Sequence, residues 1–298
     1  MADVLTPPAA TRRLPPPLVL ACVAATWFVW GSTYLAIKFA LVGLPPFLMM
    51  ASRFVVAGGV LLAYQRLRGA RWPTVVEWRN ALIVGALMLG CGMGGTARAE
   101  LTIGSGIVVA FIAVTPLLMV LASLPFGIRP ARGEVIGILI GLTGVLMLVR
   151  GAGFRASPGG LGCMLLASSG WTVGSVLSQR VFRLAPGASG FATQMLCGGA
   201  VLWIASLLTG EQLPVVVPPG AGLAWLYLVV FGSLIAFNAY MYLLGRASAG
   251  IATSYTYVNP VIALMLGVAI GGEHVTAWEW LSAGVVLGGV VLLILSRR

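Results

Sequence analysis

Few residues in this sequence could perform acid–base, nucleophilic or metal chemistry. The 298 residues include 7 aspartates and glutamates, 1 histidine and 4 cysteines. No two acids cluster within an apolar segment, and His274 stands in a predicted loop. Cys22, Cys91, Cys163 and Cys197 form neither a CxxC pair nor a Cys/His cluster. Because a catalytic or metal site needs such groups to converge, the sequence predicts no enzyme, no metal site and no cofactor.

The polar residues that do cluster stand inside an apolar run, in the stretch GIATSYTYVNP at residues 250–260. Tyr255 and Asn259 are four residues apart and share a face of a helix. Pro260 would leave the carbonyl of Thr256 free to accept a bond from a substrate or water. The same spacing recurs in three further pairs: Asn238 and Tyr242, Trp30 and Tyr34, and Trp171 and Ser175. Aromatic walls with a few donors and acceptors are typical of a small-molecule pocket.

Other roles remain open for these residues. Trp and Tyr also concentrate at membrane interfaces, and the same side chains could pack one helix against another. Pro116 and Pro260 are candidates for hinges or gates, or they kink their helices and do no more. The sequence does not separate these alternatives.

Arg53 is the most informative charge because it falls inside a predicted membrane span. A charge at that depth is costly and normally faces a cavity or a partner. Arg53 is therefore a candidate for binding a substrate carboxylate. The alternative is a structural bond to backbone carbonyls or to Glu100.

The elements that must position these residues are membrane helices. Only 8% of the residues are charged and the mean hydropathy is +1.02, whereas soluble domains carry about 25% charged residues. Uncharged apolar stretches of this length indicate spanning helices. We predict an all-α polytopic membrane protein with ten transmembrane helices, near residues 18–41, 47–66, 78–97, 103–125, 134–149, 159–179, 188–209, 222–244, 249–271 and 277–296.

The net charge of +11 is distributed by side of the membrane. With a cytoplasmic N-terminus, the inner segments contain Arg12, Arg13, Arg66, Arg68, Arg71, Arg79, Arg129, Arg132, Arg180, Arg183, Arg246, Arg297 and Arg298. The outer loops contain Arg98, Arg150 and Arg155. This asymmetry follows the positive-inside rule and predicts that both termini are cytoplasmic. The charge thus indicates orientation in a lipid bilayer and not a nucleic-acid partner.

A unit of five helices occurs twice in the chain. GIVVAFIAVTP at 106–116 matches GIATSYTYVNP at 250–260, and Glu134 with Gly144 matches Glu279 with Gly289. Because five is odd, the second unit enters the membrane from the opposite side. Inverted repeats of this kind recur in secondary transporters, with the substrate site near the midplane. We predict a cytoplasmic tail at 1–17, one repeat at 18–150 and an inverted second repeat at 151–298.

Several motifs resemble the drug/metabolite transporter superfamily, and its EamA-type branch in particular. They are WGSTY at 30–34, Arg-Phe at 53–54, the Ser-Gly and Thr-Pro pairs of helix 4, YVNP at 257–260 and GGE at 271–273. The resemblance implies a bacterial inner-membrane transporter that exports amino acids, with aromatic or apolar ones as candidates, or related small metabolites. Transport would use alternating access through a midplane cavity. A broad drug/metabolite efflux carrier or a channel-like facilitator is the alternative.

Two further expectations concern coupling and assembly. Apart from Glu100, no acid lies away from the predicted span ends, so we expect a uniporter-like or weakly coupled exporter. Helices 5 and 10 contain the GxxxG pairs Gly137 with Gly141 and Gly284 with Gly288. Small residues allow membrane helices to approach closely. We expect them to pack within one chain, and therefore a monomer rather than a homodimer.

Overall fold

The computed structural model describes residues 16–102, 108, 111–149, 157–212, 215–271 and 276–296. Their regular structure is helical. In chain order the helices are α1 (Pro17–Ala40), α2 (Pro46–Leu67), α3 (Val75–Ala99), α4 (Phe111–Phe126), α5 (Arg132–Val149), α6 (Pro158–Arg180), α7 (Ala188–Leu208), α8 (Pro219–Arg246), α9 (Tyr255–Gly271) and α10 (Ala277–Leu295). Seven of them, namely α1, α2, α3, α6, α7, α8 and α10, are long and apolar enough to cross a membrane. The described residues thus form an all-helical membrane-protein fold.

Local sequence explains where several helices begin. Proline occupies the first turn of α1, α2, α6 and α8, where its missing N–H would have no helical partner. Thr74 and Glu77 form a capping box at the start of α3, and Thr276 and Glu279 form another at the start of α10. The one-turn helix Ala249–Ala252 precedes α9, and a turn at Thr253 and Ser254 separates the two.

Two of the long helices contain π-helical stretches. In α3 the stretch is Ala86–Gly94, and in α8 it is Leu228–Phe237. A π-helix bonds each N–H to the carbonyl five residues back, which widens the turn, and such turns are frequent at functional sites. Both stretches lie in the middle of their helices.

Close helix crossings depend on glycine. A Cβ atom added to Gly58 of α2 would lie 2.8 Å from the Ala192 carbonyl oxygen of α7. One added to Gly289 of α10 would lie 2.6 Å from the backbone nitrogen of Gly141 in α5. No side chain fits at either point, so these glycines set the α2–α7 and α5–α10 contacts. Gly288, in contrast, has open space around its Cβ position.

One end of the helix bundle is joined by polar contacts from predicted outer loops. The Glu211 carboxylate, after α7, accepts hydrogen bonds from the backbone N–H groups of Phe47 and Leu48 at 3.1 and 2.8 Å. Near the start of α10, the Trp278 indole donates to the Met147 carbonyl at 3.0 Å. The carboxylate thereby satisfies donors at the start of α2 that have no helical partner.

The other end, which we call the arginine-rich end, is joined in a similar way. Asn80 of α3 donates to the Arg183 carbonyl at 2.9 Å. The buried Glu134 of α5 accepts the backbone N–H of Gly250 at 2.8 Å. The two contacts bring together pairs of loops that the charge pattern predicts to be cytoplasmic.

Candidate functional site

Four buried aromatic side chains meet where α1, α6, α8 and α9 converge. We call them the aromatic cluster: Trp30, Trp171, Tyr240 and Tyr255. The ring centre of Trp30 lies 4.6 Å from that of Tyr255, 5.3 Å from Tyr240 and 5.7 Å from Trp171. The Trp30 contacts with Tyr255 and Trp171 are edge-to-face, an arrangement that aromatic quadrupoles favour.

Hydrogen bonds fix the orientation of the cluster. The Trp171 indole donates to the Tyr240 hydroxyl at 3.1 Å, and the Ser175 hydroxyl lies 2.9 Å from the same oxygen. Ser175 also donates to the Trp171 carbonyl at 2.6 Å. On the opposite side, the Trp30 indole donates to the Gly232 carbonyl in the π-helical stretch of α8, at 3.2 Å. Each indole N–H is therefore satisfied inside the protein.

A central cavity of about 70 Å³ lies against one side of the cluster. Trp30, Trp171 and Tyr255 form its aromatic wall. The polar side chains that line it are Thr33, Thr96, Thr115 and Ser168, and its methionines are Met50, Met93 and Met164. None of the described lining residues is an acid or a base. The cavity thus offers rings, hydroxyls and flexible thioethers.

A second cavity, which we call the vestibule, lies at the arginine-rich end and has a volume of about 200 Å³. Its charged lining residues are Arg129, Glu134 and Arg180. Along α6, Trp171 lines the central cavity whereas Val176 and Gln179 line the vestibule. Likewise, Tyr255 of α9 lines the central cavity, and Ala252 of the preceding one-turn helix lines the vestibule. The aromatic cluster therefore lies between the two cavities.

Arg53 of α2 lies against the π-helical stretch of α8. The side chain is 0% exposed, and its Nε donates to the Ser233 hydroxyl at 2.7 Å. Its Nη1 is 3.7 Å from the sulfur of Met50, and the guanidinium carbon is 4.9 Å from the Phe54 ring centre. Among the described residues, Arg53 forms no ion pair with Glu100.

Four of the predicted pocket residues come together: Trp30, Trp171, Ser175 and Tyr255. Asn238 instead donates to the Ser233 and Leu234 carbonyls of its own helix, at 3.3 and 2.9 Å. Tyr242 lies beneath the Arg246 guanidinium, whose carbon is 5.2 Å from its ring centre. The side chain of Tyr34 lies outside the described residues.

Asn259 stands one turn after Tyr255 in α9 and is 2% exposed. Neither its amide oxygen nor its amide nitrogen has a hydrogen-bond partner in the described part of the chain. Buried amides are normally paired, so both atoms have unused capacity to bond a ligand or water, although Asn259 lines neither of the two cavities described above. Pro260 stands inside α9, whereas Pro116 follows a turn at Val114 in α4.

Sequence reasoning missed two buried residues. Tyr240 belongs to the aromatic cluster, although i to i+4 pairing selected its neighbours Asn238 and Tyr242. Gln194 of α7 is 0% exposed, its amide nitrogen lies 3.2 Å from the Met88 sulfur, and its amide oxygen has no partner among the described residues. Its only sequence signal is an amide in the middle of an apolar span.

A family model and two relatives identify the kind of protein. The model of the EamA-like transporter family matches residues 17–150 and again residues 158–295. The uncharacterized inner membrane transporter YedA of Escherichia coli K12 is 40% identical over 287 residues, which cover 96% of this chain and 93% of YedA. A probable amino-acid metabolite efflux pump of the same strain is 20% identical over 290 residues, covering 91% and 92% of the two chains.

A solved crystal structure of a protein 24% identical to this chain has the same fold. Its TM-score is 0.74, and the superposition covers 92% of this chain and 95% of the other. The family resemblance seen in the sequence motifs is confirmed by the family match and by YedA. This chain belongs to the EamA-like transporter family and is a membrane transporter.

Proposed function

We propose that this transporter exports amino acids or related small metabolites across the bacterial inner membrane by alternating access. The observation that carries the proposal is the aromatic cluster between the central cavity and the vestibule. A carrier exposes its substrate site to one side of the membrane at a time, so it needs a barrier that can open and close beside that site. The names of two relatives support the proposed membrane and the proposed substrate. One is called an inner membrane transporter, and the other is called a probable amino-acid metabolite efflux pump.

The mechanism requires ten spans in two inverted repeats, at 18–150 and 151–298, with both termini in the cytoplasm. The family model matches the chain twice, which supports this organisation. The π-helical stretches occupy α3 and α8, the third helix of each repeat. The indole of Trp30 lies against Gly232 of one stretch, and a Cβ atom at Gly92 of the other would lie 3.1 Å from the Trp171 ring. In each half, a tryptophan of the first helix thus lies against the π-helical stretch of the other half.

The compact central cavity indicates a conformation with the aromatic cluster closed. Its volume of about 70 Å³ is below the roughly 300–1,000 Å³ of typical ligand pockets. Substrate would therefore enter through the vestibule only after the cluster has separated, and the cavity would widen as the halves rock. Pro116 and Pro260 are the candidate hinges, since each lies beside a helix break or replaces a helix donor.

We infer that export is not driven by protons bound in the central cavity. No described residue that lines this cavity is an acid. A uniporter-like or weakly coupled carrier fits that lining. Uptake by proteoliposomes should therefore change little when a pH gradient is imposed, and strong gradient-driven accumulation would contradict the inference.

Transport assays in proteoliposomes test the function and its alternatives. A carrier should show saturable uptake of individual amino acids and exchange of internal for external substrate. A broad efflux carrier would instead accept structurally unrelated drugs. A channel-like facilitator would show flux that does not saturate and no exchange. Absence of any flux above that of empty liposomes, for amino acids and other metabolites alike, would contradict the proposal.

We also propose that the working unit is a monomer. Gly137 and Gly141 of α5 lie against Gly289 of α10 within one chain, which supports this expectation. The second predicted pair does not take part in that contact, because Gly284 and Gly288 have open space around their Cβ positions. Light scattering of the purified protein in detergent measures the state directly.

A further inference from the structure

The buried guanidinium of Arg53 has only neutral partners among the described residues. Its Nε bonds to the Ser233 hydroxyl at 2.7 Å, and its Nη1 reaches only the weak acceptor sulfur of Met50 at 3.7 Å. Its Nη2 has no hydrogen-bond partner in the described ranges. The side chain is fully buried. This cation is thus withdrawn from water, and the described part of the chain gives it no counter-ion.

The surroundings of Arg53 are arranged around its positive charge. Ser233 donates its own hydroxyl proton to the Leu228 carbonyl at 3.2 Å, so that its lone pairs face the Arg53 Nε. One hydroxyl does not replace the hydration of a guanidinium, and an unpaired buried charge is strongly unfavourable. Ionisable groups inside membrane proteins accordingly mark pathways for substrates or ions.

Arg53 lies directly behind the wall of the central cavity. Met50, which its Nη1 touches, lines that cavity, and so does Thr33. A Cβ atom at Gly232 would lie 2.6 Å from the Arg53 Nη2 and 3.3 Å from the Thr33 methyl group. Methionine is unbranched and adapts easily to new surroundings. Movement of the Met50 side chain would therefore open the cavity to Nη1, the terminal nitrogen that the sulfur covers.

We propose that Arg53 binds the carboxylate of the transported molecule, and that the substrates are small molecules bearing a carboxylate. This inference rests on the proposed export function and narrows its cargo. A guanidinium presents paired N–H groups that match the two oxygens of a carboxylate. The aromatic wall at Trp30, Trp171 and Tyr255 would contact the apolar remainder of the molecule. Amines and neutral compounds lack the group that Arg53 requires.

The test uses the full-length protein in proteoliposomes and two matched sets of labelled compounds. One set carries a carboxylate: the common amino acids, pyruvate and 3-phenylpropionate. The other lacks it: L-phenylalaninamide, phenethylamine, uracil and ethidium. We expect transport only within the first set. Arg53→Gln should lower the initial rate about 10- to 100-fold, the loss expected for charge-assisted hydrogen bonds. Arg68→Gln, an exposed arginine of the arginine-rich end, should transport normally.

Each outcome decides between the two claims. If compounds without a carboxylate are transported equally well, or if Arg53→Gln keeps its rate, Arg53 is structural and the inference fails while the export function stands. If the wild-type protein transports no compound of either set, the proposed function fails and the inference with it. Should Arg53→Gln not reach the membrane, as judged by size-exclusion chromatography of a fluorescent fusion, the comparison of the two sets on wild-type protein decides.

Discussion

The indole N–H of Trp171 donates to the hydroxyl of Tyr240 at 3.1 Å, and this bond closes one side of the aromatic cluster. The two residues are 69 positions apart, on α6 and α8. Their rings are also close, with centres 5.1 Å apart and planes tilted by 31°. The contact joins a helix of the cavity wall to the helix that carries the Ser233 partner of Arg53. In the proposed mechanism, α6 and α8 part at this bond when the cavities connect.

Tyr240→Ala should convert the carrier into a leak. The substitution removes a fully buried ring between the central cavity and the vestibule, together with the acceptor of the Trp171 N–H. Release of preloaded substrate from proteoliposomes should become fast and unsaturable. Tyr240→Phe keeps the ring and should retain saturable transport, at a stability loss of about 1–3 kcal/mol because the buried Trp171 N–H loses its acceptor.

Tyr242→Ala is the matched control for this prediction. It also replaces a tyrosine by alanine, but Tyr242 lies beside Arg246 and outside the aromatic cluster. Saturable transport by Tyr240→Ala, or an equal leak in both alanine variants, would show that the cluster is not the barrier.

Asn259→Leu should leave stability nearly unchanged and reduce transport. The buried amide has no partner among the described residues, so its removal breaks no hydrogen bond within them. We expect a change below about 1 kcal/mol in unfolding free energy, since replacing an unsatisfied polar group by an apolar one is close to neutral. Measured substrate affinity should fall, because a bound substrate would supply the partners that this amide lacks in the described part of the chain.

Asn80→Leu provides the contrast, since the Asn80 amide donates to the Arg183 carbonyl at 2.9 Å. This variant should lose about 1–3 kcal/mol through the unpaired carbonyl. A larger stability loss in Asn259→Leu than in Asn80→Leu would argue that Asn259 is a structural residue.

Gly289→Val and Gly288→Val should differ sharply in folding, although the two glycines are adjacent in the sequence. A Cβ atom at Gly289 would lie 2.6 Å from the Gly141 nitrogen, and backbone atoms cannot give way as a side-chain tip can. We expect Gly289→Val to fail to reach the membrane as a folded protein. Gly288→Val has open space and should fold and transport normally. Loss of a defined oligomer in Gly288→Val, seen by light scattering, would contradict the monomer.

Single cysteines at the ends of the bundle test the inverted topology. An impermeant maleimide should label Arg68→Cys and Gly245→Cys only from the cytoplasmic side, and Gln212→Cys only from the outside. Residues 68 and 212 follow α2 and α7, which are equivalent helices of the two repeats. Labelling of both from the same side would rule out the inversion. The wild-type protein, whose four cysteines fall inside helices, gives the background.

Hydropathy alone located most of the helices in the described residues. The span predicted at 188–209 is α7 at Ala188–Leu208, and the span predicted at 222–244 is α8 at Pro219–Arg246. Apolar length determines a membrane helix so strongly that packing details hardly matter. The predicted span at 249–271 is instead divided at Thr253 and Ser254, because the hydroxyl-rich sequence satisfies its backbone with local turns.

The site was harder to predict than the helices. Helical spacing selected Trp30, Trp171 and Tyr255, since each lies on the interior face of its own helix. Tyr240 was missed because the residues four positions from it are the apolar Ala236 and Leu244, so i to i+4 pairing favoured Asn238 with Tyr242. The Ser233 partner of Arg53 is 180 positions away. Periodicity within one helix carries no information about alignment between helices.

The wide turns of α3 and α8 also make these helices tolerant of a change in length. A π stretch holds more residues per turn than an α-helix, so deleting one residue from Leu228–Phe237 would wind it into ordinary α turns. Because the π turns take up the extra residue, the α-helical segments on both sides would keep nearly the same relative rotation, with their hydrogen bonds intact. Tyr240 would still face Trp171. Chain length can thus vary by a residue at these two sites while the aromatic rings stay aligned.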